Sequence, residues 1–319
     1  MQGKHYKVKS IPYNGSYIDA FHPRFENGYV FWFDDSGRER AAKADNLKNG
    51  ADGSLKFSNA DRGEEIIFKP VRYDILPPFW NGTHELEKVC APIHDGKAYF
   101  RPFLCRGNIL EAKTFLVGIN PATPIFPEDV GLRTYVEMLL SHEKFYSFYV
   151  SLRKKRGKRG ISHTREGIGS FGRWLEEKTG CPVLETNMIA YPTRNEDSLK
   201  LEPEYIWETG KQIFRSLLFG IRPKLIVLHG DIVGHFLNIL RQDGITPEIL
   251  TTAKRITEME KFMPVLSFTY PDGVRADVAA CRHLSRYKMY KAEHESFKQR
   301  LGLFLKVQDS AKILRNRGE

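Results

Sequence analysis

From about residue 114 onward, short apolar runs alternate with longer stretches whose apolar residues recur every three or four positions. That rhythm admits few folds. Thr114-Phe115-Leu116-Val117-Gly118 is short and continuously apolar, as a strand buried on both faces must be. Ile168, Phe171 and Leu175 share one helical face, with Gly180 placed to cap its C-terminus. Residues 183–190 give the next strand. A helix then starts near Glu204, with Ile206, Ile213, Phe214 and Leu217 inward and Gly220 closing it. Lys224-Leu225-Ile226-Val227-Leu228 is a third strand, and residues 265–270 and 274–280 are two more. A long final helix carries Tyr290, Phe297, Leu301 and Phe304 at helical spacing. Strands alternating with helices imply an α/β fold: a three-layer α/β/α sandwich around a mostly parallel central sheet.

The first 80 or so residues follow a different pattern. Tyr29-Val30-Phe31-Trp32-Phe33 is an apolar run followed by the turn residues Asp34-Asp35-Ser36-Gly37. Residues 63–68 form another strand candidate, and residues 49–53 are rich in turn formers. No helical periodicity competes. The Pro77-Pro78-Phe79-Trp80-Asn81-Gly82 stretch reads as a boundary, which divides the chain into a small β-rich N-terminal domain, 1–82, and a second domain, 83–319.

A hydrophobic content of 41% and a charged content of 28% are those of a globular protein. No apolar run reaches the roughly 18 residues that span a bilayer, and Met1 to Ser10 lacks the apolar core of a secretory signal. A cytoplasmic monomer without membrane contact is the expectation. Cys90, Cys105, Cys181 and Cys281 are dispersed, with no CxxC pair, and read as free, reduced thiols. The net charge is +10. Residues 1–85 hold 12 basic and 12 acidic side chains and are neutral, so the whole excess lies in the remainder. A basic body suits a polyanionic partner, because each phosphate contact releases condensed counterions.

Ligands of parallel sheets bind beyond the carboxyl ends of the strands, and three strand ends here carry unusual polar residues. They are Gly118-Ile119-Asn120-Pro121-Ala122-Thr123-Pro124, then Glu185-Thr186-Asn187 continuing to Tyr191-Pro192-Thr193-Arg194, and Cys281-Arg282-His283-Leu284-Ser285-Arg286. Singly, each is an ordinary turn, a strand-edge amide or a packed histidine. Together and in this order they resemble the uracil-DNA glycosylase superfamily. Gly118 to Pro121 looks like its water-positioning motif, Thr186-Asn187 like the segment whose asparagine reads a flipped base, and His283-x-Ser285 like its closing motif. Lys224 to Gly230 is similar to the family's fourth strand. Glu128, Asp129, Gly131, Arg133 and Tyr135 echo a segment that sets an aromatic ring against the base. The resemblance covers about residues 95–305. Ala122 and Leu284 depart from the family pattern, and a basic stretch, 153–160, is inserted between the first and second motifs. Some relatives hold an iron–sulfur cluster on four cysteines, but such sites take two ligands from one tight loop, and these cysteines are 15, 76 and 100 positions apart.

The resemblance implies a monofunctional DNA glycosylase without cofactor or metal. Asn120 would position the attacking water, and His283 would stabilise charge on the departing base. Asn187 would read the base edge, Tyr135 would stack on the ring, and Gly118 and Ile119 would complete the base site. DNA, double-stranded with a flipped base or single-stranded, would be held by Thr123, Ser285, Arg286, Tyr287, Lys154, Lys155, Arg156, Lys158 and Arg159, with Arg286 and Tyr287 as a wedge. No lysine lies in the motifs, so a Schiff-base lyase step is not expected. The base stays open between uracil or mismatched thymine and a hypermodified cytosine, and the role between repair and antiviral defence. Two rivals stand beside this reading. One is a metal-dependent hydrolase built on His229, Asp231 and His235, although Asp231 also reads as a helix N-cap. The other is a non-catalytic DNA-binding module that keeps the fold.

Overall fold

In the computed structural model of the protein, the described residues are 78–93 and 96–316, together with residue 46 and the strands between residues 6 and 70. The chain forms two compact units, Met1–Asp74 and Ile75–Glu319. The division falls earlier than residue 82 because Phe79 and Trp80 are buried in the core of the second unit. Trp80 packs on Gly220, where a Cβ would collide with the indole.

In the first unit, β1 (Tyr6–Ile11), β2 (Ile18–Ala20), β6 (Lys48–Asn49), β7 (Leu55–Asn59) and β8 (Glu64–Pro70) form an antiparallel sheet in the order β2-β1-β8-β7-β6. A second, three-stranded antiparallel sheet holds β3 (Arg24–Glu26), β4 (Tyr29–Phe33) and β5 (Glu39–Lys43). The expected turns at 34–37 and 50–53 lie outside the described residues, as does Pro77.

The second unit is mixed α/β. In chain order it runs α1 (Thr83–Cys90), β9 (Phe103–Cys105), β10 (Thr114–Gly118), α2 (Leu132–Leu139), α3 (His142–Lys155), α4 (His163–Thr179), β11 (Val183–Asn187), α5 (Glu196–Lys200) and α6 (Glu204–Ile221). It continues through β12 (Leu225–His229), α7 (Val233–Gln242), β13 (Glu248–Ile249), α8 (Ile256–Met259), β14 (Leu266–Thr269), β15 (Arg275–Cys281) and α9 (Lys291–Asn316). The seven strands are ordered β13-β14-β15-β12-β10-β11-β9. The central four, β15-β12-β10-β11, are parallel, and the flanking strands are antiparallel.

The central strands bury both faces, as their continuous apolar character requires. Phe115, Val117, Leu184, Ile226 and Leu228 join a large core with Ile213 and Phe214 of α6 and Phe236 of α7. The alternate residues Leu116, Val183, Leu225 and Val227 join a smaller one with Phe171 and Leu175 of α4 and Phe297 and Leu301 of α9. Helices thereby cover both faces of the sheet. Each fully buried Phe or Leu contributes about 1.5–3 kcal/mol of transfer free energy.

Gly180 caps α4 with φ 64°, as its position predicts. Gly220 does not close α6; it is the flat seat for Trp80, and the left-handed cap is Arg222 at φ 55°. The stretch expected as strand at 183–190 stops at Asn187. Among the described residues, no helix is long and apolar enough to cross a membrane.

Candidate functional site

At the carboxyl ends of the parallel strands the register sets Asn187 beside Gly118, and His229 beside Cys281. Val117 and Leu228 are partners, so His229 follows on the other side of Gly118. Asn187, Gly118, His229 and Cys281 thus form one row across the sheet. A Cβ on Gly118 would lie 2.8 Å from Asn187 Oδ1 and 3.0 Å from both Cε1 and Nε2 of His229. Glycine is the residue that lets those two side chains converge.

Above this row lies a cavity of about 590 Å³. Its lining includes Ile119, Asn120, Asn187, His229 and His283. The first two motifs are held together past the strand ends. Met188 N–H donates to Gly118 O and Ile189 N–H to Ile119 O, both at 2.9 Å, and Thr193 N–H donates to Pro121 O at 3.1 Å. Asn120 is then oriented by its own bond: Nδ2 donates to Thr193 Oγ at 2.7 Å, and that hydroxyl donates to Asn195 O at 2.6 Å. With its amide nitrogen committed, Asn120 offers its carbonyl oxygen as an acceptor.

Arg101, buried at the cavity wall, braces the same loop. Its two terminal nitrogens donate to Ala122 O at 3.0 Å and Thr123 O at 2.8 Å, and its guanidinium lies 5.0 Å over the Phe145 ring. Thr123, at φ 64°, sits in the left-handed region beneath that clamp.

His283 closes the cavity. Its Nδ1 accepts from Ser285 N–H at 3.2 Å and lies 2.7 Å from Ser285 Oγ. Both contacts suit a lone pair on Nδ1, which leaves the proton on Nε2. Burial holds this imidazole below the ordinary histidine range, and Arg286 adds to the effect. The loop is seated by Gly167 of α4, where a Cβ would collide with the Leu284 carbonyl. Leu284, fully buried, anchors the turn in the second core. Burial pushes His229 well below the histidine range too, and its neighbour His283, ring centroids 5.0 Å apart, opposes a second positive charge. The site therefore carries two uncharged imidazoles. Its charged groups include a pair, Arg165 Nη1 to Glu185 Oε2 at 2.5 Å, whose charges offset each other.

Several expectations are corrected by the packing. Tyr135 is fully buried outside the cavity, stacked on Tyr99 at 4.8 Å with its hydroxyl donating to Phe100 O at 3.1 Å, so it has no face for a base. Phe103, Phe145 and Tyr149 are the aromatic rings of the cavity wall. Thr123 is buried, its hydroxyl accepting from Arg153 at 3.2 Å and 3.3 Å from that of Tyr149, so it is not a DNA contact. The basic stretch is the last turn of α3 and the turn after it. Within it Arg156 is a brace, bonded to Pro124 O at 2.8 Å and Asp129 at 2.5 Å. Arg159 pairs at 3.4 Å with Glu166, while Lys154, Lys155 and Lys158 are exposed. Tyr287 is turned inward, stacked on His294 at 5.1 Å and bonded to Glu295 and Lys298. It is no wedge, whereas Arg286, Lys288 and Met289 are exposed beside it. Ser285 serves His283. Asp231 does not cap α7, whose N-cap is Ile232. Among the described residues, no cluster of three or more His, Cys, Asp or Glu side chains is arranged to hold a metal ion. All four cysteines are free.

Sequence reasoning missed Arg101, Arg165 with Glu185, and the placement of His229. Arg101 lies in a stretch without periodicity or motif, so nothing local marks it. His229 was visible as a candidate metal ligand and as part of the segment resembling the fourth strand, and the pairing of β12 with β10 and β15 is what sets it in the cavity. Comparisons with protein-family models and with curated proteins found no match to this chain.

Proposed function

We propose that the protein is a monofunctional DNA glycosylase that hydrolyses the N-glycosidic bond of a flipped, uracil-like or modified pyrimidine and leaves an abasic site. One observation carries this reading: Asn120, Asn187 and His283, from three separate strand ends, converge on one cavity. A non-catalytic DNA-binding protein has no need of that convergence. We further propose that the second unit is a three-layer α/β/α sandwich acting as a cytoplasmic monomer, with the β-rich first unit as a separate domain.

In this mechanism the base leaves the stack, at a cost of a few kcal/mol, and its edge meets the Asn187 amide. The Asn120 carbonyl accepts a hydrogen bond from water and aims it at the anomeric carbon. An amide takes no proton at neutral pH, so the step relies on leaving-group stabilisation. The carbon–nitrogen bond breaks, its electron pair departs with the base, and His283 Nε2–H donates to the oxygen where charge gathers. The water's proton passes to solvent. At about 590 Å³ the cavity has the size of a small-molecule site and exceeds what a bare pyrimidine ring requires. Its polar wall includes Arg194, Asn195, Glu196, Asp231 and His235, which suits a base with a hydroxylated substituent. The test is to incubate the protein with uracil-containing DNA, thymine-mismatch DNA and phage DNA carrying glucosylated hydroxymethylcytosine, then identify any released base by mass spectrometry. No released base and no abasic site from any of them would defeat the proposal.

Two further results are expected. Asn187→Asp removes a donor and adds a charge beside a base that is becoming anionic. It should suppress release of uracil and thymine while sparing a cytosine-type ring, whose amino group needs an acceptor. Single-turnover rates on the three duplexes decide this, and an equal loss on all of them counts against the assigned role. On the DNA surface, the joint replacement of Lys154, Lys155 and Lys158 by Gln should flatten the slope of log affinity against log salt. The loss is about 0.9 for each phosphate contact removed, without sequence preference. Fluorescence anisotropy across a salt series measures it, and an unchanged slope removes these lysines from the interface.

A further inference from the structure

His229 is a polar residue in the wall of the cavity to which the mechanism above gives no role. It is buried, and its Cε1–Nε2 edge overhangs Gly118, facing the same point as Asn187 Oδ1. Its ring stands edge-on to His283. A base read by Asn187 at one end and by His283 at the other passes over His229 between them. The other ring nitrogen, Nδ1, is buried with no hydrogen-bond partner. Buried orphan N–H groups are rarer than under-used acceptors, because a donor without a partner loses its whole hydration. The favoured tautomer of the neutral ring therefore leaves Nδ1 bare and puts the proton on Nε2, the nitrogen beside the cavity.

We infer that His229 reads the Watson–Crick edge of the base as a hydrogen-bond donor, and so selects a cytosine-type ring. This rests on the glycosylase reading and narrows its substrate class. The ring nitrogen between the two exocyclic groups of a cytosine-type pyrimidine is an acceptor, and it gathers negative charge as the base leaves. In uracil and thymine the same atom carries a hydrogen, which would meet the His229 N–H head-on. Asn187 Oδ1 accepts from the exocyclic amine in the same arrangement, and His283 donates to the exocyclic carbonyl oxygen on the other side of that nitrogen. Three neighbouring side chains then present acceptor, donor and donor, the complement of a cytosine edge.

Two measurements test this. In the first, single-turnover base release by the parent, His229→Phe and His229→Gln is followed on uracil, mismatched-thymine and glucosylated-hydroxymethylcytosine duplexes. The parent is expected to release the cytosine-type base at least about tenfold faster than uracil. His229→Phe should lose roughly tenfold to a hundredfold on the cytosine-type base alone, the effect of one unpaired buried group. His229→Gln, which keeps a donor, should recover most of that loss. A folded His229→Phe protein that releases the cytosine-type base at the parent's rate overturns the inference, as does a parent that prefers uracil. In either case base release still occurs and the glycosylase reading stands; a parent that releases nothing defeats that reading instead. In the second measurement, nitrogen NMR of the ¹⁵N-histidine-labelled parent reports the His229 tautomer directly. A proton on Nε2 supports the inference, and a proton on Nδ1 overturns it even where a variant fails to fold.

Discussion

His283→Ala is expected to slow single-turnover base release by roughly 10²–10³-fold, the usual cost of removing one donor from a site where negative charge develops. The loss should be similar on every substrate, since the proposed acceptor is the exocyclic carbonyl oxygen next to the glycosidic nitrogen, which uracil, thymine and cytosine share. A pH dependence is expected from the same geometry. Ser285 N–H engages Nδ1, and burial holds the ring below the ordinary histidine range, so the neutral Nε2–H form is the working one. Protonation is disfavoured inside the cavity. The acid limb of the rate profile should therefore fall below the ordinary histidine value of about 6.5, and activity should be flat above it through neutrality. His283→Ala should lose that limb together with most of the rate. A variant that keeps the parent's rate, or that changes the order of substrates while sparing the best one, would remove His283 from the leaving-group role.

Asn120→Ala is expected to cost about 10²-fold in the same assay, or about 2.7 kcal/mol in the barrier, while DNA affinity stays within about twofold. The physical reason is that the proposed mechanism gives Asn120 a water to hold and no phosphate. Its amide nitrogen is committed to Thr193, so the carbonyl holds one direction before substrate arrives. Losing it leaves the water in place but unaimed. Rates within about threefold of the parent, a difference of only about 0.7 kcal/mol, would show that Asn120 does not position the nucleophile. Paired measurement of binding and turnover separates this from a general loss of structure.

Much of the frame was legible because its determinants are local. The apolar runs at 114–118 and 225–228 and the helical spacing of Ile168, Phe171 and Leu175 need only their own neighbours to be read. Gly180 marks its helix end because only a residue tolerant of positive φ fits there. The same local logic failed at Gly220, which has the look of a stop but is a seat for Trp80, a residue some 140 positions earlier. Tyr135 shows the same limit. Its position after the first motif fits a stacking ring, yet α2 turns it into the core against Tyr99.

The sequence by itself determined the alternation of strands and helices, the apolar content that buries both faces of the sheet, and which strand ends carry polar residues. These follow from side-chain periodicity and from the rule that a parallel sheet exposes its ligands at the carboxyl ends. Tertiary structure alone decided who meets whom there. The register of β12 against β10 brings His229 beside Gly118, and the absence of a Cβ at Gly118 lets Asn187 close in from the other side. Arg101 reaches Ala122 and Thr123 across 21 and 22 positions, and Arg165 reaches Glu185 from a different element. Such contacts are set by strand order and helix packing. No periodicity within a window of a dozen residues encodes them.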